Sequence, residues 1–533
     1  MEPTLAATDT GLAAVSSERN SRASKWRSHL HLVVPLGLAI TLAWLILHFG
    51  MIQFGGMDGS MLVNTGLQQY LGYRPYSEIV NGLPPLFVLG AGVAFRVWGL
   101  HYSSTVILLA FFVPACMIFE YWLLRKLAVP WLAASVFAFV TQAMPQLPST
   151  YWWYNPITES VAILFVLAFL LFIRQPSARL PMFALWATAT ALLLAKPNIA
   201  GLLILLAAGI GLLAKPLRRN TILLLGAAGV TALLILFAAR ASPFDLWHSY
   251  RIVSARVTQL GKIWDFLYRN QHWEVVITAV YGVPALLALF EILRSWPKFA
   301  KDSANHWAAW QRTASAALAF GAMVVAFVGT ATNNSANLQE APLALCGLGI
   351  LLWTNWGTFN YPRSPAPVLF WLSAALWASE SLFICVNRFG IAEVGPGAFF
   401  EVAPLVKLTA PGFFEGMSVG PRFVRTMDDI RKTLDGYRAS TGRWPSVLFG
   451  PRMEFGYAAY SIRPPKGLPI LWEAFEEDSP ASREMVRRFE EANFDMCIML
   501  HNDYVFYPRA FREYLSSAYD TRQIGELTVH TRK

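Results

Sequence analysis

Apolar runs close to the length of a bilayer crossing recur along most of this chain, separated by short polar links. Segments such as "HLVVPLGLAITLAWLILHFGMI" and "TILLLGAAGVTALLILFAA" carry no alternation of period two. Each approaches the ~20 residues that an α-helix needs to cross the hydrocarbon core. A transmembrane barrel would instead show ~10-residue alternating segments. The pattern predicts helical spans near 31–52, 83–99, 104–124, 131–147, 158–173, 181–195, 198–214, 221–240, 274–294, 314–332, 337–355 and 366–386. The fold class expected is an all-α polytopic membrane protein with about 11–13 spans. After residue 390 the pattern changes. Amphipathic helical stretches ("PRFVRTMDDIRKTLDGYRAS", "SREMVRRFEEANF") alternate with strand-like runs ("PSVLFG", "FDMCIML", "IGELTVHT"), which predicts a small soluble α/β domain over 391–533.

Charge placement orients this arrangement. The clusters Arg125/Lys126, Arg174/Arg179, Lys215/Arg218/Arg219 and Arg294/Lys298/Lys301 lie in short links and should face the cytoplasm. They all do so if 83–99 is re-entrant or incomplete. Residues 1–30 then form a basic cytoplasmic tail, and 31–390 form the membrane domain. The loops 53–82, 148–157, 241–273 and 333–340 and the C-terminal domain fall on the outer face. Several spans are short, and Lys196 interrupts an apolar region at "LLLAKPNIA". Broken helices at membrane depth imply a polar cavity, because irregular backbone survives there only where protein or water satisfies it.

Composition agrees with the pattern. The 533 residues are 55% hydrophobic and 14% charged, with mean hydropathy +0.42, against about a quarter charged for a soluble domain. The net charge of +10 reflects the Lys and Arg of the links rather than a nucleic-acid surface. Four cysteines give no disulfide framework and no metal-ligand spacing. No phosphate-binding loop, dinucleotide glycine turn or HExxH helix occurs, which disfavours an ATP-driven pump and a soluble nucleotide-sugar enzyme.

Candidate chemistry sits at the outer ends of helices. Asp58, in "FGGMDGSMLVNTGLQQYLGYRPYSEIVNGLPPLF", can take a proton from an acceptor hydroxyl at the mouth of a cavity. Its plainer role is the N-cap of the helix that follows. Pro84-Pro85 suit the first turn of the next helix, where a missing N–H costs least. Glu159 opens the span "YWWYNPITESVAILFV", and an ion pair with Lys196 is a concrete expectation, since ionisable groups at this depth are costly. Trp152, Trp153 and Tyr154 fit an interfacial aromatic belt better than a sugar-stacking platform. Arg251 and Arg256 lie near one another on an amphipathic stretch and could hold a lipid phosphate. The polar set Asn333, Asn334, Asn337, Gln339 and Glu340 reads more simply as a loop than as a sugar site.

The order of these features resembles the start of the GT-C superfamily of membrane glycosyltransferases. The resemblance is to the branch of protein O-mannosyltransferases and the lipid A aminoarabinose transferase. It rests on Asp58 just after the first span, "GYRPYSEIVNGLPPLFVLGAGVAFRVWGL", "YNPITESVAILFVLAFLLF" and "ALLLAKPNIAGLLIL", and covers roughly residues 31–215. It implies sugar transfer from a polyprenyl-phosphate donor to a lipid, glycan or protein acceptor on the outer face of a bacterial inner membrane. Asp58 would be the general base, and Glu159 and Lys196 would lie near the donor phosphate. Inversion at the anomeric carbon would follow, and no divalent metal or other cofactor is expected. Glu78, Tyr154 and Asn155, within the same motifs, are candidates for substrate contacts. The chain departs from the family where relatives carry a second acid after the Asp, because Gly59 stands there, and where a basic residue precedes the Pro pair, because Leu83 stands there. Donor-phosphate contacts would then fall to Arg74, Arg251 or Arg256. The competing reading is a transporter or flippase of a lipid-linked envelope precursor.

Overall fold

The computed structural model describes residues 9–147, 150–253, 281–301, 306–333, 341–355, 404–468, 480–501 and 507–533, with isolated positions between. Helix α1 (Asp9–Gly50) is followed by α2 (Gly56–Tyr70), α3 (Pro85–Trp98), α4 (Tyr102–Lys126) and α5 (Trp131–Gln146). Next come α6 (Tyr154–Arg174), α7 (Arg179–Leu194), α8 (Pro197–Leu213), α9 (Lys215–Ala238) and α10 (Pro243–Val253). Three more helices span Val283–Lys301, His306–Asn333 and Ala341–Ile350. Among the described residues, five helices are long and apolar enough to cross a membrane: His29–Gly50, Tyr102–Lys126, Tyr154–Arg174, Lys215–Ala238 and Trp307–Ala331. The expected span at 366–386 lies outside the described residues, apart from two isolated positions.

Helix α6 is the axis of the bundle. Its whole apolar window is buried, packed against α4, α5, α7, α8 and the helices His306–Asn333 and Ala341–Ile350. Helices α1 and α9 line the outside, with only 22% of each apolar window buried. Leu32, Val33, Leu36, Ile40 and Trp44 of α1 and Leu223, Val230, Leu234 and Phe237 of α9 are exposed. An apolar surface this extensive requires lipid rather than water around it.

Two expectations about irregular segments hold. Pro84 is the N-cap of α3 and Pro85 its first residue. Lys196 is the N-cap of α8, Pro197 follows at its first position, and α7 ends at Leu194. Helix α3 has 14 residues, so at ~1.5 Å per residue it is about 21 Å long, short of the ~30 Å core. It packs against α2 and α4. Helices α7 and α8, of 16 and 17 residues, fall short of that core as well.

The C-terminal region begins with a short antiparallel pair, β1 (Val406–Lys407) and β2 (Ser418–Val419). A four-stranded sheet follows, in the order β3 (Val447–Phe449), β4 (Met496–Leu500), β6 (Leu527–Arg532), β5 (Tyr519–Ile524). Strands β3 and β4 are parallel and the other pairs antiparallel. All five residues of β4 are buried, as expected of a strand covered on both faces. The amphipathic helices appear at Pro421–Thr441 and Pro480–Ala492, and β1, β2, β5 and the helices Phe455–Ala459 and Arg509–Ala518 stand where no signal was read. Gly442, at φ +77°, closes the Pro421–Thr441 helix in the left-handed conformation that glycine adopts without strain.

Candidate active site

The segment after the first span is fastened to the C-terminal region on both sides of Asp58. Before it, Ile52 bridges Ser418 in parallel, and Gln53 N donates to Ser418 O at 2.7 Å. The Gln53 amide also exchanges hydrogen bonds with the Glu401 backbone. Phe54 is fully buried, with ring centroids 5.0–5.5 Å from Tyr102, Phe414, Phe423 and Phe455. After it, Ser60 Oγ donates to Glu454 Oε2 at 2.7 Å and accepts the Phe455 N–H at 2.9 Å.

Between these anchors the chain turns into α2. The N-cap is Gly55, and Gly59 N donates to Gly55 O at 3.0 Å. Asp58 is therefore the third residue of the helix and not its N-cap, which corrects the capping alternative. Its side chain lies outside the described residues. A carboxylate in the first turn still meets the positive end of the helix dipole. The backbone at Gly59 is closely packed: a Cβ there would stand 3.0 Å from Phe54 Cε2.

Glu78 and Arg74 are joined to each other and to the C-terminal region. Arg74 N donates to Glu78 Oε2 at 2.8 Å, the Arg74 Nε lies 3.9 Å from the same oxygen, and Lys466 Nζ lies 2.9 Å from Glu78 Oε1. The Arg74 backbone N–H, then Lys466, hold the Glu78 carboxyl below its usual range. Tyr73 donates to Pro464 O at 2.8 Å, accepts from Arg463 Nε at 3.0 Å, and lies under the Lys466 ammonium at 4.7 Å. The structure thus gives Glu78 and Tyr73 the work of docking the first loop, while the Arg74 side chain is 60% exposed.

The α7–α8 break brings a second group together. Lys196 Nζ donates to Asn155 Oδ1 at 3.1 Å and sits 5.5 Å from the Tyr154 ring centroid, while Lys196 N donates to Thr158 Oγ1 at 3.3 Å. Glu159 is buried, and its Oε1 accepts the Leu343 N–H at 2.6 Å. Among the described residues Glu159 and Lys196 form no ion pair. The carboxylate is turned to the N-terminal amides of the Ala341–Ile350 helix, which carry partial positive charge, and the ammonium reaches back along α6. Trp152 and Trp153 are 2% and 3% exposed, with Trp152 Nε1 donating to Phe87 O at 3.1 Å. They are core residues rather than an interfacial belt, since Gly90 of α3 leaves room for the Trp152 indole.

Hydrogen bonds tie α10 to the α2 side. Asn81 Nδ2 donates to Thr65 Oγ1 of α2 at 3.2 Å, and Ser249 Oγ of α10 donates to Asn81 O at 2.6 Å. The next residue, Tyr250, has its hydroxyl buried with no hydrogen-bond partner among the described residues. Burial, then the nearby Tyr154 hydroxyl, raise its pKa. Tyr76, which donates to Leu83 O at 2.9 Å, faces Tyr250 in turn. Arg251 follows in α10 with its side chain outside the described residues; Arg256, Asn334, Asn337, Gln339 and Glu340 lie outside them altogether.

Sequence reading missed Glu120. This carboxylate is fully buried in α4 and accepts from Thr141 Oγ1 at 2.7 Å and Gln142 Nε2 at 2.6 Å. A lone Glu in an apolar run was the available signal. Glu454 was missed as well, because nothing local marks a partner 394 positions away. Among the described residues no group of three or more His, Cys, Asp or Glu could hold a metal ion.

No protein-family model matches the chain, and no curated protein matches it. A crystal structure of the Archaeoglobus fulgidus oligosaccharyltransferase, complexed with Zn and sulfate, is 12% identical over 87% of this chain and 68% of that one, with a TM-score of 0.45. ArnT from Cupriavidus metallidurans in the apo state is 13% identical over 95% and 98% of the two chains, with a TM-score of 0.38. ArnT bound to undecaprenyl phosphate is 12% identical over 94% and 97%, with a TM-score of 0.35. At TM-scores below 0.5 these likenesses assign nothing by themselves, and the functional reading rests on the residues of this chain.

Proposed function

We propose that this membrane protein is a glycosyltransferase that takes a sugar from a polyprenyl-phosphate donor. The observation that carries the reading is the presence of two features at outer helix ends in this scheme. A fixed turn bears Asp58 at the end of the first span, Lys196 stands with Tyr154 and Asn155 at a helix break, and α10 is hydrogen-bonded to the α2 side through Ser249 and Asn81. In this scheme Asp58 takes the proton of the acceptor hydroxyl as its oxygen bonds to the anomeric carbon. The bond from that carbon to the phosphate oxygen breaks on the opposite side, so the configuration inverts and polyprenyl phosphate leaves. Lys196 offers a cation to the phosphate, and Tyr154 and Asn155 sit where they can meet the sugar. Arg251 and Arg256 are further phosphate contacts in this proposal. In this proposal the N-terminus lies in the cytoplasm, the C-terminal region on the outer face, and the protein in a bacterial inner membrane.

The test of donor binding is Lys196→Ala. Retention of a synthetic polyprenyl phosphate by the purified protein, followed by native mass spectrometry, should fall at least tenfold. Undiminished retention would remove Lys196 from the donor site. The buried Glu120 cluster favours a second reading, transport of a lipid-linked precursor, because ionisable groups within spans often mark translocation paths. A transporter would move intact donor across vesicles that contain no acceptor.

A further inference from the structure

We infer that Glu454, in the C-terminal α/β region, is a positioning residue for the catalytic turn, acting through Ser60. The inference rests on the reading of Asp58 as the base. Ser60 lies two residues beyond Asp58 in the first turns of α2 and is fully buried. Its hydroxyl is held from two directions, donating to Glu454 Oε2 at 2.7 Å and accepting the Phe455 N–H at 2.9 Å. A hydroxyl fixed this way has one orientation, and the backbone that carries it is fixed with it. Phe54 and Gln53 anchor the other side of the turn to the same region, as described above. The span end alone does not set the position of Asp58. Segments more than 340 residues away set it from both sides.

Glu454 is itself an unusual choice for a spacer. It is 6% exposed, and burial pushes its carboxyl up to about 7, against hydrogen bonds from Ser60 and from the Glu454 and Arg452 backbone. The groups facing it are Ser60 and Asn64 from α2, Arg452 and Tyr457 from its own region, and Gln68 across a small cavity of about 30 Å³. Arg452 is buried to the same degree as a core residue and is held at φ +68°. A carboxylate accepts a hydroxyl hydrogen bond more strongly when ionised. The grip on Ser60 should therefore tighten as pH rises through about 7, a dependence that an apolar spacer would lack.

The experiment compares Glu454→Ala, Glu454→Gln, Ser60→Ala and Asp58→Asn in proteoliposomes. The probe is a panel of polyprenyl-phosphate hexose and pentose donors with bacterial envelope lipid extract as acceptor. Folded protein is matched by size-exclusion profile and by limited proteolysis of the C-terminal region. Glu454→Ala and Ser60→Ala should lower kcat at least tenfold with donor KM changed less than twofold. Glu454→Gln, which keeps an acceptor for Ser60, should restore kcat to within about threefold of wild type while losing the rise near pH 7. Wild-type kcat in Ser60→Ala or Glu454→Ala overturns the inference, as does an unchanged rise near pH 7 in Glu454→Gln. Asp58→Asn separates the two claims. Full activity there defeats the base itself, whereas its loss beside wild-type Glu454 and Ser60 variants defeats only the positioning role.

Discussion

Replacing Gly59 with alanine tests whether the turn beside Asp58 is packed as tightly as the structure shows. In an unhindered helix interior Gly→Ala stabilises by about 1 kcal/mol, since alanine loses less backbone freedom. Here the new Cβ would stand 3.0 Å from Phe54 Cε2, inside the ~3.5–4.0 Å of favourable carbon contact. Phe54 has no room to yield, being fully buried among four aromatic rings. Overpacking of this kind costs about 1–3 kcal/mol, so the net effect should be a loss of about 0–2 kcal/mol. Phe54→Leu removes the contacting ring atom. In that background Gly59→Ala should return to a gain of about 1 kcal/mol, leaving a coupling of about 1–3 kcal/mol. Thermal unfolding of the four detergent-purified proteins, with amide exchange over residues 59–64, closes the cycle. An equal upward shift from Gly59→Ala in both backgrounds would refute the packing argument.

Two further perturbations follow from the contacts. Arg443 donates to both oxygens of Asp495 at 2.6 and 2.7 Å, and it pushes that carboxyl down to about 2. A depressed carboxylate stabilises the fold above its unfolded value of ~3.9, and that stabilisation is lost as pH falls from about 4 to 2. Amide protection factors in the C-terminal sheet, corrected for the intrinsic exchange rate at each pH, should fall over that window in the wild type, and much less in Asp495→Asn. Gly90→Ala would drive a Cβ into the Trp152 indole, which is 2% exposed; the expected loss of about 1–3 kcal/mol should appear as a lowered unfolding temperature. An unchanged temperature would mean that α3 does not lean on Trp152.

What was legible in the sequence was what local rules govern. Pro84-Pro85 announced the start of α3, Lys-Pro announced the α7–α8 break, and amphipathic periodicity placed the helix Pro421–Thr441. The edge strand β5, "YDTRQI", was not read because four of its six residues are exposed and carry no alternation. Trp152 and Trp153 looked interfacial because an aromatic at a helix end reads alike in a belt or a core. Only the approach of Gly90 decides between them. Lys196 was expected to meet Glu159, yet Asn155 and Tyr154 lie closer along α6 toward its N-terminus, and the Leu343 amide takes the carboxylate. The docking of the first loop on the C-terminal region, through Ser60–Glu454, Gln53–Glu401 and Glu78–Lys466, pairs residues some 350–400 positions apart, and no local signal encodes such pairs.

The central claim, that this chain transfers sugar with Asp58 as the base, meets its most direct test in one measurement. Wild type and Asp58→Asn, at equal amounts of folded protein in liposomes, are supplied with polyprenyl-phosphate donors and envelope lipid extract, and released polyprenyl phosphate is counted. The account predicts release by the wild type that depends on acceptor, and a loss of at least a thousandfold in Asp58→Asn with donor still bound. Equal release by both proteins would contradict it.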